Sequence, residues 1–374
     1  MRVAVIAPPW LSIPPTGYGG IETVLDTLCC GLRAAGHDVL LYATGDSTCP
    51  VERAWTFETA VGTDRISPAA ELRHVIDAYR AVRDWGADVV HDHTLTGPFY
   101  AQRYPELTVV TTNHGPFNAD LAPLYGALAG RVPIVAISRH QAALAGDVPI
   151  ASVIHHGLDL DRFPVGDGRG GYALFLGRMT PDKGVHSAIH VARAAGMPLR
   201  IAAKMCEPAE HDYFNARVRP LLGGDIEYIG EVGGDQKLHL IGSARCLLNS
   251  IAWPEPFGMV MIEALACGTP VIGTPCGAAP ELIDNGVTGF LRRDQLALVA
   301  AIDHVDDLDR AACRAVAEAR FSMARMASDH IGIYAWLQTD RHGLDPRGDR
   351  HAGHVRRPAD GALATIHELP ATGS

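Results

Sequence analysis

Residues 253–277 read WPEPFGMVMIEALACGTPVIGTPCG. An acid bracketed by prolines, Glu255, is followed by Gly258, which opens a helix. A second acid, Glu263, lies inside that helix, and Gly268, Thr269 and Pro270 stop it and start a buried strand. The free N–H groups at the helix start, near Phe257, Gly258, Met259 and Val260, make an anion site. Gly258 lets a ligand come close to the backbone. Glu255, just ahead of the helix, can accept hydrogen bonds from sugar hydroxyls beside that anion. Glu263, about two turns in, can reach hydroxyls at the ligand's other end. Two surface acids on a core helix would be the plainer reading. The fit of the whole string to a phosphate-and-sugar cradle outweighs it.

Outward from this stretch, short apolar runs alternate with helical patterns. In the first half the runs are VAVIA (3–7), VLLYA (39–43), DVVH (88–91), TVVTT (108–112) and PIVAIS (133–138), with helices over 21–35 and 71–85. The pattern then restarts with ALFLG (173–177), LRIAA (199–203), IEYIG (226–230), RCLLN (245–249) and PVIGT (270–274), with helices over 184–195, 209–221 and from 258. Continuous apolar strands joined by helices predict an α/β fold with parallel sheets covered on both faces. The Gly- and Asp-rich segment 155–171, with Pro164, reads as the connection. The expected organisation is one α/β domain over 1–165 and a second over 166–322, which the family resemblance given below makes the acceptor side and the donor-binding side. A helix over 323–340 returns toward the N-terminal domain, and 341–374 forms a disordered tail rich in Gly, Pro, Arg and His. Two such domains place a cleft between the carboxyl ends of their sheets, where ligands bind.

The chain has 374 residues, enough for about two domains, and a formal charge of −10. That balance argues against nucleic-acid partners and makes any cation in a cleft motif informative. FLGRMTPDKG (175–184) supplies two: Arg178 just past a strand and Lys183 at the start of the next helix. Together they can grip a diphosphate and stabilise it as it leaves. TGYGGIE (16–22) sets Gly19 and Gly20 at the start of the first helix, where a glycine loop can sit against phosphate. TTNHGP (111–116) brings His114 to the cleft, and HDHT (91–94) ends another strand there. We read His91 and His93 as pointing apart, which disfavours a metal pair, and give His93 an acceptor-side role. Asp159 and Asp161 form a D-x-D in the connection, where a turn role suits them better than a metal.

The eight cysteines show neither C-x-x-C pairs nor a zinc-type His spacing, and read as reduced, buried thiols. The apolar run of MRVAVIAPP is too short for a signal core, and no run spans a bilayer. A cytoplasmic enzyme is expected, with peripheral membrane contact left open. Acceptor, pathway and oligomeric state carry no signature.

Residues 253–277 resemble the Glu-x7-Glu motif of the retaining glycosyltransferases of family 4, and 175–184 resemble that family's G-R-x-x-x-x-K-G string. The resemblance covers nearly all of 1–335. It implies a GT-B fold, with two Rossmann-like domains facing across a cleft, and transfer of a hexose from a sugar nucleotide to an acceptor with retention of configuration. By it, Glu255 binds the transferred sugar and Glu263 the ribose. The backbone at Phe257, Gly258 and Met259 meets the sugar and diphosphate. Gly19 and Gly20 lie over the donor phosphates, and His114 stands near the sugar. UDP-sugar is expected ahead of GDP-sugar, a glucose-type hexose is the expected cargo, and no metal or further cofactor is required. A sugar-nucleotide epimerase and a glycoside phosphorylase are the alternatives on this fold.

Overall fold

The computed structural model describes residues 1–62 and 67–342. The expected tail lies outside them from residue 343 onward. Its first two residues, 341 and 342, instead close the last helix, Met323–His342.

The first sheet has seven parallel strands: β1 (Arg2–Ile6), β2 (Asp38–Ala43), β3 (Glu52–Trp55), β4 (Val89–Asp92), β5 (Val109–Thr112), β6 (Ile134–Ala136) and β7 (Ile150–Val153), in the order 3-2-1-4-5-6-7. The second has six: β8 (Ala173–Arg178), β9 (Leu199–Lys204), β10 (Ile226–Gly230), β11 (Cys246–Asn249), β12 (Val271–Gly273) and β13 (Gly289–Leu291), in the order 10-9-8-11-12-13. The two orders are the same winding repeated. Each sheet reverses direction beside its first strand, between β1 and β4 and between β8 and β11, and such reversals open a crevice at the strands' carboxyl ends. The central strands are buried on both faces, which is why they read as unbroken apolar runs. Val3, Ala4, Val5 and Ile6 of β1 are all fully buried.

Helix α1 (Gly20–Ala34) lays Val24, Leu25, Leu28 and Leu32 on the first sheet, at helical spacing. Its outer side is covered by the helix Met323–His342, through Met326, Ile333, Tyr334 and Leu337. The chain therefore leaves the second sheet and ends on the first. It crosses between them twice, and the crossings touch. Leu158 donates its N–H to the Phe321 carbonyl (2.8 Å), and Met323 donates to the Leu158 carbonyl (2.8 Å). Asp159 accepts from the Arg162 N–H in a tight turn at this point, so the D-x-D stands in a bend of the first crossing.

Candidate donor site in the cleft

The cleft between the sheets encloses about 740 Å³, and every candidate residue from the sequence except His93 lines it. Four elements supply the donor half. β8 ends at Arg178, whose Nε donates to Glu210 (3.2 Å), with Glu207 4.0 Å away. Glu210 is buried and also accepts the N–H groups of Cys206 and Glu207, so it is a fixed post for the guanidinium. The turn after β8 carries Lys183, which is ion-paired to Glu255 and lies over the Trp253 ring at 5.6 Å. The helix Met259–Ala266 begins at Gly258, which has φ +106° and no side chain to cap the first turn. Its leading N–H groups are left for a ligand. Glu255 itself is held by backbone: its N–H goes to the Trp253 carbonyl (2.8 Å) and its carbonyl accepts from Ala278 (3.0 Å). A Cβ at Gly277 would collide with that backbone, so the glycine there sets the position of the acid.

Glu263 is buried inside the same helix and paired with Lys237 at 2.8 Å. Lys237 comes from the helix Gly234–Ser243. The spacing of the acids gave no hint of this lysine. Its signal was positional: it follows a Gly-Gly at the carboxyl end of β10. Glu231, in the same segment, accepts the Tyr18 N–H at 2.8 Å and so ties the glycine loop of the first domain to the second. Gly19 and Gly20 follow directly, as the N-cap and first residue of α1.

On the opposite wall His114 is part-buried, with Nε2 2.9 Å from His93 Nδ1. Burial, then the charge of His330, lowers the His114 pKa to about 4, so its ring is neutral at pH 7. His93 is buried behind it. The expectation that His91 and His93 point apart is overturned: their ring centroids are 3.9 Å apart, because residues two apart on a strand share a face. His91 is held between the Tyr334 hydroxyl (2.7 Å) and Thr112 (2.8 Å), and Asp92 accepts from Tyr79 and Thr94. Both have structural partners. His156 stacks on the far side of His114 at 5.4 Å and packs edge-on against Phe257.

The site thus collects Arg178, Lys183 and Lys237, an uncapped helix start, and the acids Glu255 and Glu263 along one trough. The trough suits an extended ligand with a sugar at one end, a diphosphate in the middle and a nucleoside at the other. Two family models match in tandem: "Glycosyltransferase Family 4" over residues 18–162 and "Glycosyl transferases group 1" over 162–319, meeting within the connection. The chain belongs to the family 4 type of glycosyltransferases. The family match makes it a hexosyltransferase, and the two repeated sheets are the two halves of the GT-B fold. Among its relatives, the glycogen synthase of Mycobacterium tuberculosis is 27% identical, over 88% of this chain and 91% of the relative. The phosphatidyl-myo-inositol mannosyltransferase of Mycolicibacterium smegmatis is 26% identical over 90% of each. AviGT4, a glycosyltransferase involved in avilamycin A biosynthesis, superposes with a TM-score of 0.70 at 27% identity, over 90% of this chain and 98% of that one. The Anabaena protein HepE, solved with UDP-glucose, shares the fold with a TM-score of 0.68 at 17% identity, over 90% of this chain and all of that one. No helix among the described residues is long and apolar enough to cross a membrane.

Proposed function

We propose that this hexosyltransferase moves a glucose-type sugar from a UDP-sugar to an acceptor hydroxyl, with retention and without a metal. The observation that carries this is the convergence of Arg178, Lys183 and the uncapped start of Met259–Ala266 on one stretch of the cleft, between Glu255 and Glu263. The diphosphate lies on the two cations and the helix N–H groups. Their positive charge meets the charge that develops on the departing nucleotide, the role a magnesium ion has elsewhere. Glu255 holds hydroxyls of the transferred sugar, and Glu263 those of the ribose. The base lies toward Val232 and Gly233. Backbone N–H and carbonyl groups there can read the imide edge of a base such as uracil. Neutral His114 faces the anomeric centre and can accept a hydrogen bond from the sugar. The acceptor enters along the first domain and attacks on the face the diphosphate leaves, which gives retention.

A thermal-shift panel with UDP, GDP, ADP and their glucose and mannose esters tests the reading. A nucleotide at about 100 times its dissociation constant adds roughly 2.7 kcal/mol. Stabilisation by UDP and UDP-glucose, unchanged by added magnesium, is expected. A response to GDP alone, or to no nucleotide, would overturn it.

A further inference from the structure

At the first-domain edge of the cleft, which Asp26 and Arg162 line, α1 and the segment after β2 bring together three groups to which the donor reading gives no role. Asp26 and Cys30 stand four residues apart on α1 and so share a face. Cys49 meets them from the loop, where its N–H donates to the Ile13 carbonyl at 2.9 Å. One carboxylate oxygen and the two Sγ atoms all lie within 4.8 Å of one another. Asp26 Oδ1 is buried and has no hydrogen-bond partner, while Oδ2 lies 4.0 Å from the Arg162 guanidinium. The Cys49 thiol, a weak donor, hydrogen-bonds to the Asp26 carboxyl, and a buried carboxylate so thinly satisfied is costly.

We propose that Asp26, Cys30 and Cys49 bind a zinc-class divalent cation. Two thiolates and one carboxylate are the donors of a borderline-soft ion, not of magnesium or calcium, which take oxygen alone. Around a tetrahedral zinc the donor atoms stand on the order of 3.3–3.8 Å apart, from bond lengths of about 2.0–2.3 Å. The observed spread of up to 4.8 Å has to close by about 1 Å for the three atoms to share the ion. Free thiols carry their protons at neutral pH. Binding therefore releases two protons to solvent as two sulfur–metal bonds form, and the carboxylate supplies the third bond through Oδ1. A doubly charged ion with three anionic ligands keeps one negative charge, and Arg162 stands where it offsets that charge. Water completes the fourth position. The ion would clamp α1, whose first turn carries the glycine loop, to the 44–51 segment. Its signature is binding and stability, not the transfer chemistry.

The test uses full-length protein, reduced and stripped with chelator, then titrated with zinc against a chromophoric competitor and with cobalt. One tight equivalent and thiolate-to-cobalt absorption are expected, together with a raised melting temperature. Cys30→Ser and Cys49→Ser should weaken zinc binding at least about 100-fold, and Arg162→Gln about 10-fold, as groups around a metal's ligands do. Asp26→Asn keeps both thiols and the shape of the site, so its loss of affinity reports ligation and not misfolding. Cys206→Ser, at an exposed thiol of the other domain, should bind as wild type does. The proposal falls if the reduced protein takes up no cobalt with thiolate absorption. It also falls if Asp26→Asn and Cys49→Ser bind zinc as tightly as wild type.

Discussion

Replacing Lys183 with alanine removes a cation whose side chain is only 14% exposed, from a partner, Glu255, that is 17% exposed. In so sheltered a position a charge aimed at a leaving group is worth about 2.7–4 kcal/mol in the transition state. At 1.36 kcal/mol per decade, kcat/KM should fall roughly 100- to 1000-fold. The fold should suffer less, because Glu255 is close enough to the cleft mouth to take up water. A loss of about 1–3 kcal/mol is expected, between that for a surface pair and that for a fully buried one, which lowers the melting temperature by several degrees. The rate can be followed without the natural acceptor, as UDP release from UDP-glucose with water attacking. The affinity contrast between UDP and UMP gives a second readout, since Lys183 acts on the diphosphate. Lys183→Arg should recover part of the contrast by restoring the charge. A folded Lys183→Ala enzyme whose kcat/KM stays within about threefold of wild type, with the UDP-to-UMP contrast intact, would refute the diphosphate role.

Glu263→Gln should remove a charge-assisted contact worth about 1.5–3 kcal/mol, raising the donor KM roughly 10- to 100-fold with a smaller change in kcat; steady-state kinetics on UDP-glucose decide it. Gly258→Ala places a Cβ at φ +106° and against Met261 Cε, so about 1–2 kcal/mol of stability and most donor binding should be lost, as melting with and without UDP would show. His74, His114 and His330 have pKa values lowered to about 4, in each case by burial first. Their unfolded values are higher, so the stability they contribute is full above pH 6.5 and is lost as pH falls toward 4. The expected slope is about 1.4 kcal/mol per pH unit for each histidine kept neutral, and urea unfolding that is flat between pH 7.5 and 5 would contradict it. Initial rates should not depend on added magnesium or manganese, which a metal titration of the stripped enzyme checks.

Much of this was legible in residue order. Central strands announce themselves because both faces are buried, and the 253–277 string holds its helix start, its acids and its strand in one run. The edge strands β3, β7 and β13 were missed because each is short and lies at or next to an exposed margin. ERAW in β3 alternates between exposed and half-buried and shows no apolar run. Partners from distant segments were also hidden. Nothing in the neighbourhood of Glu263 points to Lys237, 26 residues earlier, and nothing near Asp26 points to Cys49. The histidines failed for a different reason. Their separation at the end of β4 was legible, but its consequence, two rings packed together on one face, was misjudged.

The double crossing at Leu158 and Met323 has a consequence for how the molecule can be divided. The two halves are joined by a pair of adjacent strands, like the spine of a book, so opening is confined to rotation about that spine. The first half is not a contiguous piece of chain, since it includes the return helix Met323–His342. A protein cut after residue 165 would carry a complete seven-stranded sheet yet lack the helix that covers α1, and the outer side of α1 around Gly31, which packs on Met323 and Ala327, would face water. The same cut made in the intact chain leaves the halves joined through the return helix. Nicking the connection should therefore give two fragments that stay together and keep the cleft, whereas expressing residues 1–165 alone should give a sticky, incomplete half.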